Sequence, residues 1–325
     1  MLSSRPMQLN RYPILIVGRA AYRALVAMRH GHVTAAFRHS VYIETDHGDM
    51  VCVGPVTLGA GPLTALCEFQ HMMVVPELEG CDGASVEKLG DVLYVRAFAF
   101  PLARAVLWEP PDTWASRTHD MLDRTLDELG GVIAKKHPRG FGRLIPALLG
   151  IRDIPPLRRD DVLLARAWQA ATTFSRWLHA ALTQQDVRSP IPKEVEFLIG
   201  LGPGLTPAGD DFLGGALIAL RSLAEDALAD RIGSFVLPLA RTQTNKISLA
   251  HLRCAAVGEG AAVLHDMLAA LMRQRGTALT PRLDALDGIG HSSGWDVLAG
   301  VICVYATYVA AHRSADTRKP AFACF

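Results

Sequence analysis

The spacing of apolar residues changes character once along the chain. Between His32 and Trp108 apolar and polar positions mostly alternate, the period-two pattern of half-buried strands. HVTAAFRHSVYIET and MVCVGPVTL are rich in Val, Ile, Tyr and Thr, and the polar turn Asp46 to Asp49 between them predicts a hairpin. DVLYVRAFAF and ARAVLWEP, from Asp91 to Pro110, predict further strands. From Asp112 the period moves to three and four: WASRTHDMLDRTLDELGGVIAKK reads as an amphipathic helix with Asp112 or Thr113 as N-cap. A loop rich in Pro, Gly and Arg follows, from His137 to Pro156. Helices are then predicted from Asp160 to Gln184, Pro192 to Leu198, Asp210 to Leu223, Glu225 to Ala240, Asn245 to Val257, Gly260 to Arg273 and Gly294 to Ala311. Strands and helices are segregated, which predicts an α+β fold. Its parts are a β-rich N-terminal domain over 13–110 and a larger α-helical domain over 111–313, with tails at 1–12 and 314–325.

Composition narrows the partners. Half of the residues are hydrophobic, a fifth are charged and the net charge is +1, so no electrostatic argument points to nucleic acid or an anionic membrane. The basic cluster Lys135, Lys136, His137 and Arg139 reads as a solvated loop. Cys52, Cys67, Cys81, Cys254, Cys303 and Cys324 show no C-x-x-C spacing, so neither a zinc site nor a disulfide framework is indicated. The apolar run Ile14 to Val17 is far below a signal h-region. The longest apolar stretch, Val297 to Ala311, would be about 22 Å long as a helix, short of a bilayer. These features predict a cytoplasmic protein with reduced cysteines and no nucleic-acid or membrane partner.

The densest chemistry lies in GLGPGLTPAGDDFLGGALIAL, from Gly200 to Leu220. Gly202 and Gly204 free the backbone to turn and let an anion approach the amides closely, and the helix that follows offers unpaired N–H groups. No Gly-Lys-Ser/Thr follows and no βαβ unit is evident, so this is neither a Walker A loop nor a dinucleotide fingerprint. As an ordinary helix start it would use Thr206 as N-cap and Pro207 as first residue, with Asp210 and Asp211 complementing the dipole. That reading leaves Gly200, Gly202 and Gly204 unexplained. An internal repeat strengthens the functional one. Gly209-Asp-Asp-Phe-Leu-Gly-Gly215 and Gly294-Trp-Asp-Val-Leu-Ala-Gly300 agree at four of seven positions, pairing Asp211 with Asp296 and Gly215 with Gly300. In each copy the aspartate and the second glycine share a helix face. Two such helices would pack closely and bring their loops to one place.

Asp210 and Asp211 point about 100° apart, so they serve different partners. Asp211 and Asp296 are the candidate catalytic carboxylates, to hold a substrate amide or to move a proton. Gly202, Gly204, Thr206, Gly209 and Asp210 from the first loop, with His291, Ser292, Ser293 and Gly294 from the second, are candidate anion- or substrate-binding groups. As plain helix caps, Ser292 and Ser293 are equally well explained. Adjacent His291 and Ser292 are poorly placed for a nucleophile pair, and no G-x-S-x-G elbow exists. A third cluster, Thr242 to Gly260, adds Asn245, a plausible N-cap, and Ser248, with Lys246 and Arg253 as the nearby cations. No cofactor or metal site is assigned. Mg²⁺ between Asp211 and Asp296 stays open as the alternative of a metal-assisted amide hydrolase or lyase.

GLGPGLTPAGDDFLGG, TNKISLAHLRCAAVGEG and GHSSGWDVLAG, in this order and spacing, resemble the AllH-type subunit family of oxamate carbamoyltransferase. With VGPVTLGAGPL, Val53 to Leu63, the resemblance covers roughly residues 14 to 312. Ala208 stands where many relatives carry serine. The resemblance implies a cytoplasmic subunit of allantoin (purine) nitrogen salvage that works with other subunits of the complex. That complex moves the carbamoyl group of oxalurate to phosphate, giving oxamate and carbamoyl phosphate. A non-catalytic subunit binding a small anion is the third reading.

Overall fold

The computed structural model describes residues 9–37, 40–68, 80–111, 119–151, 161–184, 189–272 and 278–316. The chain forms two compact units, Met1–Pro110 and Pro111–Phe325. Strands fill the first and helices the second, so the fold is α+β.

The first unit is built on one ten-stranded sheet. Its strands are β1 (Asn10–Arg11), β2 (Ile14–Gly18), β3 (His30–Ala36), β4 (Val41–Thr45), β5 (Met50–Pro55), β6 (Thr64–Cys67), β7 (Ser85–Leu89), β8 (Val92–Val95), β9 (Phe98–Pro101) and β10 (Val106–Trp108). They lie in the order β1-β9-β8-β7-β3-β4-β5-β6-β2-β10. The expected hairpin closes at Asp46–Asp49: Glu44 pairs with Met50, and Gly48 takes the turn's positive φ of 79°. Alternation in β4, where Val41, Ile43 and Thr45 are buried, sends its apolar side chains to a core shared with Val33, Val53, Leu93, Phe98 and Phe100. HVTAAFRHSVYIET is two antiparallel strands rather than one, and DVLYVRAFAF likewise folds back as β8 and β9 around Arg96, whose φ is 50°. A helix not foreseen in the sequence, α1 (Arg19–Ala27), buries Ala21, Ala24 and Leu25 against β2, β5 and β6. It starts where Gly18 lies against the Gly61 carbonyl, closer than any side chain allows.

The second unit contains α2 (His119–Ile133), α3 (Ile145–Leu148), α4 (Val162–Gln184), α5 (Ala208–Ser222), α6 (Asp226–Gln243), α7 (Lys246–Ala256), α8 (Ala262–Leu271), α9 (Leu279–Asp287) and α10 (Ser293–Asp316). Tight 3₁₀ turns span Gly140–Leu144 and Lys193–Leu198, the second replacing the α-helix expected at Pro192 to Leu198. The Asp112 or Thr113 cap falls outside the described residues. Helix α9 has no clear signal in the sequence: its apolar residues Leu279, Leu283 and Leu286 are too few to stand out as a period.

Helix α5 is the centre of this unit. Every residue in it is buried except Asp211 and Arg221, which are partly so, and a helix apolar all round belongs inside a core. It packs along α10, with α4, α6 and α7 around the pair. Helix α10 runs well beyond the apolar stretch read from sequence. By length and composition Ser293–Arg313 would suffice to cross a membrane, but most of it is buried inside this unit.

Candidate functional site

Helices α5 and α10 run side by side as two copies of one element. A Cβ on Gly215 would stand 2.0 Å from the Val297 carbonyl oxygen, and one on Gly300 would stand 1.9 Å from that of Phe212. Residues 212 and 215 correspond to 297 and 300 in the repeat, so these two contacts are mirror uses of the same positions. Bare backbone at both glycines brings the helices together and sets their N-terminal ends side by side. There the Thr206 hydroxyl meets that of Ser293 at 3.2 Å, joining the two loops. Gly209 and Gly294 also correspond. Each packs its backbone on a leucine carbonyl oxygen, Leu198 or Leu286, 1.9 Å from where a Cβ would sit.

The first loop, Gly200 to Pro207, turns at three glycines with positive φ: 69° at Gly200, 114° at Gly202 and 103° at Gly204. Thr206 does not cap α5 as expected; Pro207 occupies the N-cap position and its carbonyl accepts from the Asp210 and Asp211 amides. Among the described residues, the amides of Gly202, Gly204, Leu205 and Thr206 find no partner in the chain, and neither do those of His291 and Ser292 in the second loop. These unspent donors beside two helix N-termini suit an anion.

The paired aspartates of α5 divide their work. Asp210, 2% exposed, accepts from the Gly200 amide at 2.8 Å through Oδ1 and, through Oδ2, from Thr244 Oγ1 at 2.5 Å and Ser248 Oγ at 2.6 Å. It therefore ties the glycine loop to the start of α7, and the Ser248 hydroxyl is spent on Asp210. Asn245 caps α7 by accepting from the Ser248 amide at 3.0 Å, while its Nδ2 donates to the Leu205 carbonyl. The third motif thus supports the first loop from behind.

Asp211 is different. Its Oδ2 is buried without any hydrogen-bond partner. Burial drives its pKa well above the usual carboxylate range, and the charges of Asp296 and Asp210 add to the rise. The Ser293 and Thr206 hydroxyls beside it pull the other way. Its repeat twin Asp296, 1% exposed, has both oxygens occupied: Oδ1 accepts from the Phe141 amide at 2.6 Å and Oδ2 from Ser292 Oγ at 2.8 Å. Burial raises the Asp296 pKa too, against those two donors and the nearby His291.

Asp296 depends on a segment that the sequence predicts as loop, the 3₁₀ turn Gly140–Leu144. Gly140 adopts φ 51°, and a Cβ there would sit 2.2 Å from Asp296 Oδ1. Gly142 lies against Trp295, whose Cβ would be 2.8 Å from an added methyl. The signal was present as Gly140-Phe141-Gly142, two glycines flanking one aromatic residue. The basic cluster has a structural use as well: Lys136 pairs with Asp284 at 2.5 Å and Arg139 with Asp287 at 2.7 Å, which holds α9 beside the second loop. Asp287 also accepts from the Trp295 indole, and this contact does most to hold its carboxyl below the usual range.

Residues 198–305 match the family model of the oxamate carbamoyltransferase subunit AllH. The match bears out the resemblance read from the three motifs and covers 108 of 325 residues. No solved structure matches the chain. The AllH match begins at Leu198, the residue under Gly209. It ends at Tyr305, whose hydroxyl meets that of Ser222 at 2.7 Å where α5 ends. It takes in both loops and both helices, while Gly140 and Phe141, which hold Asp296, lie before it.

Among the described residues no group of three His, Cys, Asp or Glu side chains gathers as metal ligands would. Around Asp211 the donor set is one carboxyl and two hydroxyls, with Asp296 already engaged, which does not fit Mg²⁺. Lys246 and Arg253 are exposed. A cavity lined by Gly130, Ile133, Lys136, Pro146 and Leu149 shares no residue with the loops, and its one charged group, Lys136, is paired with Asp284.

Proposed function

We propose that this chain is a subunit of a carbamoyltransferase complex. In this reading the paired loops receive the carbamoyl group of oxalurate, or of a similar small amide acid, and pass it to phosphate. The carrying observation is the combination at one place of unspent loop amides and a buried Asp211 oxygen that lacks a partner. The amides suit phosphate or the donor's carboxylate. The vacant oxygen suits the polar hydrogens of an amide, which is the group being moved. In the transfer, a phosphate oxygen bonds to the carbamoyl carbon, the bond from that carbon to the oxamate nitrogen breaks, and the nitrogen takes a proton. Amides of the glycine loop, fixed before the reaction, would stabilise the oxyanion of the tetrahedral intermediate. The family's description as a subunit supports further subunits as partners, and the remaining cations for phosphate would come from them. The reading places the protein in the cytoplasm, in the breakdown of allantoin.

The test is recovery of the tagged protein with its partners from the native host, followed by assay for phosphate-dependent carbamoyl phosphate formation from oxalurate. Co-purified subunits with that activity are the expected result. A protein recovered alone and inert toward oxalurate overturns the proposal.

A further inference from the structure

The two halves of the repeat are not equivalent, and the difference falls on one atom. Asp296 is held by an amide and a hydroxyl, each of which donates to a separate oxygen. Asp211 occupies the matching turn of α5, yet its Oδ2 is enclosed and receives nothing. An ionised carboxylate in that position would bury charge with no donor on one oxygen. The groups that act on it divide, the carboxylates opposing its ionisation and the hydroxyls easing it. From α10 come the Asp296 carboxylate and the Ser293 hydroxyl, from the loop the Thr206 hydroxyl, and from α5 itself Asp210. The basic group His291 acts on Asp296. The two acids oppose a third charge, the two hydroxyls offset this only in part, and the enclosed Oδ2 receives no donor at all. The rise in the Asp211 pKa, led by burial, agrees with this geometry.

Resting on the carbamoyl-transfer reading, we infer that Asp211 stands protonated in the resting site and serves as the general acid of the transfer. The proton balance supports one group doing this. As the phosphate oxygen bonds to the carbamoyl carbon and the C–N bond breaks, its electron pair goes to the nitrogen, which takes the Asp211 proton and leaves as the amide of oxamate. Hydrogen phosphate carries one proton that carbamoyl phosphate does not need, and that proton returns to Asp211. The site ends as it began, and no outside acid or base is consumed. Asp211 is thus a catalytic residue, whereas Asp296, locked by Phe141 and Ser292, is a positioning residue that keeps a negative charge nearby.

The test uses Asp211→Asn, which keeps the shape and removes the proton, and two readouts. The first is thermal stability of the full chain from about pH 5 to about pH 9. A carboxyl whose folded pKa is raised binds more protons in the folded than in the unfolded state, so wild-type stability falls as pH rises toward that pKa. The variant escapes this, and its advantage over wild type should widen with pH. A constant difference over the range means an ordinary carboxylate and overturns the inference whatever the complex does. The second readout is turnover of the assembled complex, where the variant should lose about 10²–10⁴-fold in kcat, together with the basic limb of the pH profile. A variant with more than half of wild-type kcat overturns the acid role. A wild-type complex that makes no carbamoyl phosphate, with the stability difference still widening, overturns the transfer reading and the acid role with it. The neutral carboxyl itself would then stand.

Discussion

Gly215 and Gly300 each touch the backbone of the other's helix: the Val297 carbonyl lies over Gly215 and the Phe212 carbonyl over Gly300. A carbonyl in a helix cannot swing aside as a side chain can. A single methyl added at either glycine therefore forces α5 and α10 apart at the point that sets their two loops together.

Gly215→Ala and Gly300→Ala should each destabilise the protein by about 3 kcal/mol or more, at the upper end for overpacking a core. Gly214, four residues from the turn of Asp210, offers the control. A methyl there meets only the Ala255 side chain at 3.6 Å, ordinary contact distance. Gly214→Ala should be neutral or mildly stabilising, because alanine is the better helix former. Urea unfolding of the three variants checks this, and equal losses at all three positions would remove the argument for a backbone contact.

Asp210 carries the link between the glycine loop and α7. Asp210→Ala removes three accepted hydrogen bonds and leaves the Gly200 amide without its acceptor. A loss of about 3–5 kcal/mol is expected, since hydrogen bonds to a charged group contribute about 1.5–3 kcal/mol each and do not add fully. Thr244→Val should cost less, about 1–2 kcal/mol, because Ser248 and Gly200 keep the carboxylate satisfied. Denaturation curves for the pair decide the order. A Thr244→Val variant as damaged as Asp210→Ala would point to some other role for that threonine.

The α5–α10 contact is legible in the sequence because it is written in spacing. A glycine four residues after an aspartate, repeated 85 positions on, needs only helix geometry to be read as a close approach. The convergence of Thr206 and Ser293 follows from the same spacing. The division between Asp210 and Asp211 is not legible this way. Both stand in the first turn of α5, and which one is satisfied depends on what the start of α7 and the second loop bring near. Asp296 shows the same limit, because its fixed state comes from Phe141, 155 residues away. In the first unit the alternation gives strands, but β3 and β4 pair antiparallel and the chain reverses at Arg96 with no glycine in either connecting sequence, so two hairpins read as two long strands.

His265 gives a pH dependence of opposite sign to that of Asp211. It is 2% exposed, its Nε2 accepts from the Gly260 amide at 3.0 Å, and burial lowers its pKa to about 4. His251 on α7 is lowered to about 4 by burial as well. A base that is neutral when folded and charged when unfolded lets the unfolded state bind more protons. Stability is therefore lost as pH falls from about 6.5 toward 4, with an upper limit of roughly 3 kcal/mol per histidine. His265→Gln keeps an acceptor near the Gly260 amide and removes the titration. Its unfolding free energy should decline less between about pH 6.5 and about pH 4 than that of wild type. Parallel declines in the two proteins would show that other groups set the acid limit.

Asp296 should affect stability and Asp211 by separable routes. Asp296→Ala strips the acceptor from a buried amide, that of Phe141, and a loss of about 2–3 kcal/mol is expected from that unsatisfied donor. The change also removes one of the two charges that raise the Asp211 pKa. Asp211 should then ionise at lower pH, and the fall of stability with rising pH should begin where it does in wild type, at the unfolded carboxyl's pKa, but end at a lower pH. Adding Asp211→Asn to the Asp296→Ala variant removes that residual fall. Four stability–pH curves, for wild type, the two single variants and the double, isolate the coupling between the two carboxyls in the manner of a double-mutant cycle. If Asp296→Ala lowers stability by the same amount at every pH, the two acids do not sense each other, and the charge of Asp296 plays no part in keeping Asp211 neutral.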